Sequence, residues 1–171
     1  MATPLRPSPP AAPAFATGVI LAIDYGQKRL GLALSDERRL ASHPFETWTR
    51  TNRRRDLARL RELVRQKGIS RIVVGLPLHL DGTPSEMSEE ARRFAARVEK
   101  ALGLPVELMD ERLSSWEAHE TMSAAGSGKR SGRRPTERAA KSQQPALDKI
   151  AAAIILRDYL AQSQARSGSR A

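Results

Sequence analysis

Residues 18–36 read GVILAIDYGQKRLGLALSD, two apolar runs separated by a turn that contains glycine. The first run, Val19 to Ile23, is rich in β-branched residues and has no polar alternation, which predicts a strand covered on both faces. Gly26 and Gly31 permit backbone angles or close approaches that a side chain would prevent. The second run, Leu32 to Leu34, predicts a neighbouring strand.

Asp24 follows the first predicted strand, so its carboxylate would lie at the edge of a rigid scaffold. An aspartate close to a glycine often does no more than form a turn, and this is the alternative interpretation. The strand before Asp24 is almost wholly apolar, and a charge at that boundary is costly unless a metal, a partner or water stabilises it. Asp24 is therefore a candidate functional residue.

Composition restricts the class of protein. The chain has 171 residues, the size of one domain, and no cysteine, which excludes disulfides, thiolate metal sites and a cysteine nucleophile. The three histidines are far apart in sequence, so no zinc site is expected. A net charge of +10 predicts attraction to polyanions, with nucleic acid as the first candidate and an anionic membrane as the second.

The two ends of the chain differ in composition from its centre. Residues 1–17 hold five of the eleven prolines, which predicts a disordered Pro/Ala-rich tail, and the polar residues 162–171 predict another. Residues 18–161 then form the folded domain, within which the glycine-rich, basic residues 126–141 predict a flexible loop. No apolar run approaches the ~20 residues that span a bilayer, and the N-terminus lacks an apolar signal core, so we expect a soluble, cytoplasmic protein.

Periodicity and turn residues predict three strands followed by alternating helices and strands, which implies a mixed sheet with helices on its faces. Two capping-box patterns, Thr83 to Glu86 and Ser114 to Glu117, predict helix starts. The remaining predicted strands are 43–51, 72–78 and 105–109, and the remaining predicted helices are 53–67 and 146–160.

Two further acids are candidates for function. Glu111 lies between a predicted strand end and a helix start, where α/β folds place ligand-binding groups, although it could instead pair with Arg112 or another base. Asp148 lies in the first turns of the apolar last helix, where it could instead cap the helix. If that helix packs on the central strand, Asp24, Glu111 and Asp148 could converge and bind Mg²⁺ or Mn²⁺ through oxygen. Two such metals about 4 Å apart can activate a water and stabilise the leaving oxygen of a phosphodiester.

Basic residues are concentrated in two segments. Between Arg50 and Arg71 there are nine basic and two acidic residues, which fits either a solvated helix face or a surface that contacts phosphates. The second segment is 126–141. Across the chain, the residues predicted to bind nucleic acid are Lys28, Arg29, Arg112, Lys129, Arg130, Arg133 and Arg134.

Four sequence blocks carry a resemblance to a known family: AIDYGQKRLGLALSD at 22–36, VVGLPLHLDGT at 73–83, DERLSSWEA at 110–118 and DKIAAAIIL at 148–156. In this order they resemble the YqgF family of pre-16S ribosomal RNA nucleases, which are similar to Holliday junction resolvases. The likeness covers residues 18–160, and its first and third blocks are the most specific.

The resemblance implies an α/β, RNase H-like mixed sheet, in which a three-stranded antiparallel meander continues into parallel strands and helices flank the sheet. It implies that Asp24, Glu111 and Asp148 are catalytic metal ligands, and that the reaction trims the 5′ end of precursor 16S ribosomal RNA. Two features depart from the family, namely the tail at 1–17 and the long basic loop before Asp148, which could change substrate choice.

Three other functions stay open at this point. The first is a Holliday-junction-type DNA resolvase, and the second is a non-catalytic RNA- or ribosome-binding protein, because a charge of +10 suffices for sequence-independent binding. The third is a sugar-kinase-like or actin-like ATPase, since Asp-x-Gly between two strands also begins the phosphate loop of that class. Those enzymes need two such lobes, and this sequence has one.

Overall fold

The computed structural model describes residues 18–111 and 137–168. In this part of the chain five strands form one sheet, in the order β3-β2-β1-β4-β5. The strands β1, β2 and β3 pair antiparallel, whereas β4 and β5 continue the sheet in parallel with β1. The mixed α/β sheet expected from the sequence is therefore confirmed. The strand bounds are β1 Val19–Tyr25, β2 Arg29–Ser35, β3 Ser42–Thr49, β4 Ile69–Leu76 and β5 Val106–Asp110.

The first two helices, α1 (Arg53–Lys67) and α2 (Glu86–Leu102), both end at a glycine in the left-handed region. The predicted start of α2 is wrong by two residues, because Ser85 and not Thr83 is the N-cap. The Ser85 hydroxyl accepts from the backbone N–H of Ser88, whose hydroxyl in turn accepts from the backbone N–H of Ser85. A serine at the third helical position thus takes the place of the expected glutamate.

The last described helix, α3 (Glu137–Gly168), is longer at both ends than the predicted 146–160. Residues 137–141 are helical rather than part of the flexible loop, and residues 162–168 continue the helix rather than forming a loose tail. Pro145 explains the first error, because proline favours the first turn of a helix and here lies inside one. The Thr47 hydroxyl on β3 donates to the Pro145 carbonyl, which fixes this part of α3 to the sheet.

Several predictions concern parts of the chain that lie outside the described residues. These are the tail at 1–17, the helix start at 114–117, and most of the basic loop, 126–136. Within the described helices, none is long and apolar enough to cross a membrane.

The sheet has two apolar faces, and alternate residues of each strand supply them. Leu21 and Ile23 of β1 pack with Leu60 of α1 and Phe94 of α2, on what we call the α1/α2 face. The residues between them point to the opposite side, the α3 face, where the buried cluster is Ile20, Ala22, Ala33, Val73, Met109, Ala152, Ala153, Ile155, Leu156 and Leu160. The period of two residues therefore places Asp24 on the α3 face and Tyr25 on the α1/α2 face.

Candidate active site

Asp24 lies near the carboxyl end of the central strand β1, in register with Gly31 of β2. The strand continues to Tyr25, so Asp24 is a strand residue and not a turn residue. Burial, together with the smaller effect of the negative charge of Asp148, raises the pKa of the Asp24 carboxyl to about 6. The sequence places an acid here at a cost in solvation, as expected for a functional carboxylate.

Glu111 follows β5 directly, and its side chain lies over Gly75 of β4. A Cβ at Gly75 would overlap the Glu111 carboxylate oxygen, so glycine is what leaves room for this side chain. Burial raises the pKa of Glu111 to about 7, with smaller contributions in the same direction from the charges of Asp24 and Asp110.

Asp148 lies on α3, whose backbone crosses β2 at Gly31. A Cβ at Gly31 would overlap the carbonyl oxygen of Asp148, so the helix and the strand approach as closely as their backbones permit. Arg29 Nε donates to Asp148 Oδ2 over 2.6 Å. The capping alternative for Asp148 is wrong, because α3 begins at Glu137, eleven residues earlier.

The structure therefore brings the three predicted acids together from a central strand, the end of an edge strand and a helix. Asp24 and Asp148 repel each other, as do Asp24 and Glu111, and this repulsion raises the pKa values of Asp24 and Glu111. Asp24 is thus the middle member of the group. Protonation of Asp24 and Glu111 relieves the repulsion in the absence of a cation, and a cation would relieve it at higher pH.

The donor chemistry of this group suits Mg²⁺ or Mn²⁺, since each acid offers hard oxygen ligands. Within residues 18–111 and 137–168, however, no group of three or more His, Cys, Asp or Glu side chains is arranged to hold a metal ion. In this arrangement the Asp148 carboxylate is paired with Arg29. Asp24 and Glu111 fit as ligands, and Asp148 would join them after exchanging Arg29 for the cation.

Two of the predicted nucleic-acid contacts fall within the described residues. Lys28 is exposed in the turn between β1 and β2. Arg29 is half-buried and paired with Asp148, and its contact with nucleic acid stays a prediction. The other five, Arg112, Lys129, Arg130, Arg133 and Arg134, lie outside the described residues.

Sequence reasoning missed one residue that builds this site, Gly75, and the partner of Arg29. Gly75 had a readable signal, because a lone glycine inside the apolar run IVVGL marks a close approach of another group. The Arg29 ion pair had no such signal, since its partner is 119 residues away in sequence.

The described residues thus form a mixed α/β sheet with one acid on β1, one directly after β5 and one on the last helix. Residues 18–162 match the family model described as RuvX, a Holliday junction resolvase, and the chain belongs to this family. The family makes the chain a nuclease, a hydrolase of ester bonds in nucleic acid, as the sequence predicted.

Two relatives of known sequence agree with the family assignment. A protein of Koribacter versatilis named "Putative pre-16S rRNA nuclease" is 40% identical over 148 residues, which cover 86% of this chain and 90% of the relative. A protein of Syntrophus aciditrophicus with the same name is 42% identical over 141 residues, covering 82% and 87%. Among solved structures, RuvC of T. thermophilus in complex with a Holliday junction substrate gives a TM-score of 0.46 at 17% identity, over 81% of this chain and 91% of that one.

Proposed function

We propose that this nuclease hydrolyses phosphodiester bonds of precursor 16S ribosomal RNA at its 5′ end, with Asp24, Glu111 and Asp148 as its catalytic, metal-binding acids. The observation that carries the proposal is the shared electrostatic environment of these acids, in which Asp148 raises the pKa of Asp24 and Asp24 raises that of Glu111. The names of the relatives support the substrate. A cytoplasmic site of action follows from that substrate.

The cofactor we propose is Mg²⁺ or Mn²⁺, as a two-metal site. When bound, such ions supply activation of a water and stabilisation of charge on the leaving oxygen. Two residues of the chain shape the site in the absence of metal. Gly75 leaves room for the Glu111 carboxylate, and Arg29 neutralises the charge of Asp148. Because the pKa values of Asp24 and Glu111 are raised, cation binding should release protons near neutral pH.

We further propose that residues 18–161 act as one nuclease domain and that basic residues around the site hold the RNA. Lys28 is exposed in the turn that follows Asp24, so it can contact a phosphate next to the cleaved bond. The basic residues Arg112, Lys129, Arg130, Arg133 and Arg134 would add sequence-independent affinity.

The test is a cleavage assay with the full chain on two substrates side by side, a precursor 16S RNA fragment and a four-way DNA junction. We expect the RNA to be cut in Mg²⁺ or Mn²⁺ and to remain intact with chelator. The variant Glu99→Gln, which removes an exposed acid on α2, on the opposite face of the sheet from Asp24, is the matched control and should cut like the parent.

A second candidate, a Holliday junction resolvase, is favoured by the description of the matching family model. Metal-dependent cutting of the junction but not of the RNA would replace our substrate by structured DNA. Binding of both substrates without cleavage of either would instead make the chain a non-catalytic RNA- or ribosome-binding protein.

A further inference from the structure

A cavity of about 350 Å³ lies on the α1/α2 face of the sheet, beside the end of β1. We call it the arginine pocket, because four arginines and one acid line it together with an aromatic ring: Tyr25, Arg50, Arg53, Glu90, Arg93 and Arg97. Its charged side chains come from the β3–α1 connection and from both helices of this face. The pocket is thus separate from the three acids, which are on the α3 face.

Arg50 forms a fixed wall of the pocket. Its guanidinium carbon lies 4.7 Å from the centre of the Tyr25 ring, and Nη1 donates to the carbonyl oxygen of Gly26 over 2.9 Å. The Nε atom is buried and makes no hydrogen bond, although it is 3.7 Å from a carboxylate oxygen of Asp56. The arginine is therefore held without using all of its donors.

The other three arginines bring uncompensated charge into the same space. Arg53, Arg93 and Arg97 form no ion pair with another described residue. The single acid, Glu90, is 3.5 Å from the Tyr25 hydroxyl, which donates to it. Arg53 is also the first residue of α1, where the helix dipole adds further positive potential. With Arg50 paired to Asp56, the other three cations still face the single acid Glu90, and they repel each other unless an anion binds among them.

We propose that the arginine pocket binds a phosphate group of the nucleic-acid strand that the three acids cut, an inference that rests on the proposed function. Guanidinium groups match phosphate oxygens in pairs, and cavities of this size hold small ligands. Tyr25 directly follows Asp24 along β1, and their side chains point to opposite faces. A strand bound in the pocket would therefore pass around the β1–β2 turn, by the exposed Lys28, to reach the acids. The pocket anchors the substrate at a fixed distance from the bond to be cut.

The test compares two pairs of substitutions on α2. Arg93→Ala with Arg97→Ala removes two cations from the pocket, whereas Arg92→Ala with Lys100→Ala removes two exposed cations outside it. Binding of a labelled single-stranded RNA is measured by fluorescence anisotropy in chelator, over a range of salt concentrations. For the pocket pair we expect about a tenfold loss of affinity and a salt slope lower by about 0.7 to 1.4, from about 0.7 per lost contact on single strands. For the control pair we expect less than a twofold loss.

Three outcomes decide the matter. Equal losses for both pairs would show that only the general positive field matters and would overturn the proposal, and so would unchanged binding in both. A loss confined to the pocket pair supports it. The single variant Arg97→Lys keeps the charge and most of the apolar stem but loses the planar fork, so a smaller, reproducible loss of affinity is expected from a correctly folded protein.

To learn whether the bound phosphate is terminal or internal, binding is compared for two RNAs that differ only in whether they carry a 5′-phosphate. If the parent prefers a 5′-phosphate and the pocket pair loses that preference, the pocket takes a terminal phosphate. If the parent binds both alike and the pocket pair weakens both, it takes an internal phosphodiester. Because binding is measured without metal, it can succeed while the cleavage assay fails. If the protein cuts RNA but the pocket pair loses no more affinity than the control pair, the proposal for the pocket is wrong and the proposed function stands.

Discussion

The two faces of the central sheet are built from side chains of different size. On the α1/α2 face β1 and β2 present leucine, isoleucine and tyrosine, and residues such as Leu21, Leu32 and Ile72 are fully buried there. On the α3 face the same strands present mostly small residues beside Ile20, and Gly31 of β2 and Gly75 of β4 lie where other groups come closest. The large side chains fill the core on the α1/α2 face. The small residues on the α3 face let α3 approach closely enough to place Asp148 at the site.

Charge follows the same division. At the end of β1 the α3 face gathers carboxylates, whereas the α1/α2 face gathers arginines around Tyr25. One strand end therefore separates an anionic site from a cationic site by a single residue. An unliganded protein holds both groups at an electrostatic cost, and a substrate with phosphates and divalent cations would relieve both costs at once.

The strongest test of this division is Asp24→Asn, which keeps the shape of the side chain and removes the central negative charge. If the acids bind metal ions, the substitution should raise the activation free energy of cleavage by several kcal/mol. We therefore expect at least roughly a hundredfold loss of cleavage rate in Mg²⁺. RNA binding should be unchanged. The raised pKa of Asp24 shows that its ionised form is disfavoured, so the melting temperature without metal should stay level or rise.

Glu99→Gln serves as the control for this substitution. Cleavage at near the parent rate by Asp24→Asn, or parent activity indifferent to chelator, would remove Asp24 or the metals from the mechanism.

The pH dependence of stability is the next largest effect. Without metal, the folded state holds protons on Asp24 and Glu111 more tightly than the unfolded chain, because their pKa values rise from 3.8 to about 6 and from 4.5 to about 7. The free energy of unfolding should therefore fall as pH rises from about 4 to 7, by about 3 kcal/mol at most from either acid, with the two contributions not additive. Asp36 and Asp81 have lowered pKa values, so what they contribute to the free energy of unfolding is lost only below pH 4.

The measurement is urea unfolding in chelator at pH 5 and pH 8. The free energy of unfolding of the double variant Asp24→Asn with Glu111→Gln should change less between these pH values than that of the parent. A parent protein that is equally stable at both values, or more stable at pH 8, would contradict the assigned coupling.

Replacing the two glycines of the α3 face by alanine should distinguish an effect on stability from an effect on the cleavage rate. In Gly31→Ala the new Cβ overlaps a backbone carbonyl of α3, so the helix must shift, and we expect a loss of roughly 1 to 3 kcal/mol in the free energy of unfolding. In Gly75→Ala the Cβ overlaps the end of the Glu111 side chain and a methyl of Ile155, which can move at lower cost. Gly75→Ala should therefore lose less stability than Gly31→Ala, while its cleavage rate still falls. Equal melting temperatures for both variants would contradict the close approach of α3.

The sequence was sufficient for the sheet and for the candidate acids, because those depend on local patterns. Apolar runs predicted the strands, and an acid at the end of an apolar run identified Asp24. The sequence failed where a distant contact decides the structure. Pro145 favours a helix start, yet α3 begins at Glu137 and the sheet holds the proline inside the helix. Neither the Arg29–Asp148 pair nor the arginine pocket could be read locally, since each joins residues far apart in the chain.

The smallest expected effect concerns Arg29, which neutralises Asp148 in the absence of a cation. Both side chains are partly exposed, at 31% and 21%, so Arg29→Ala should cost less than about 1 kcal/mol of stability in chelator. With Arg29 gone, the repulsion among the three acids increases and a cation no longer has to displace a guanidinium. Mg²⁺ should therefore raise the melting temperature of Arg29→Ala more than that of the parent, because binding to the folded state alone stabilises it in proportion to affinity. Arg38→Ala, at an exposed arginine near the other end of β2, controls for the lost charge and should respond to Mg²⁺ as the parent does. A smaller Mg²⁺ shift in Arg29→Ala than in the parent would mean that Arg29 helps to hold the acids in place for the cation rather than competing with it.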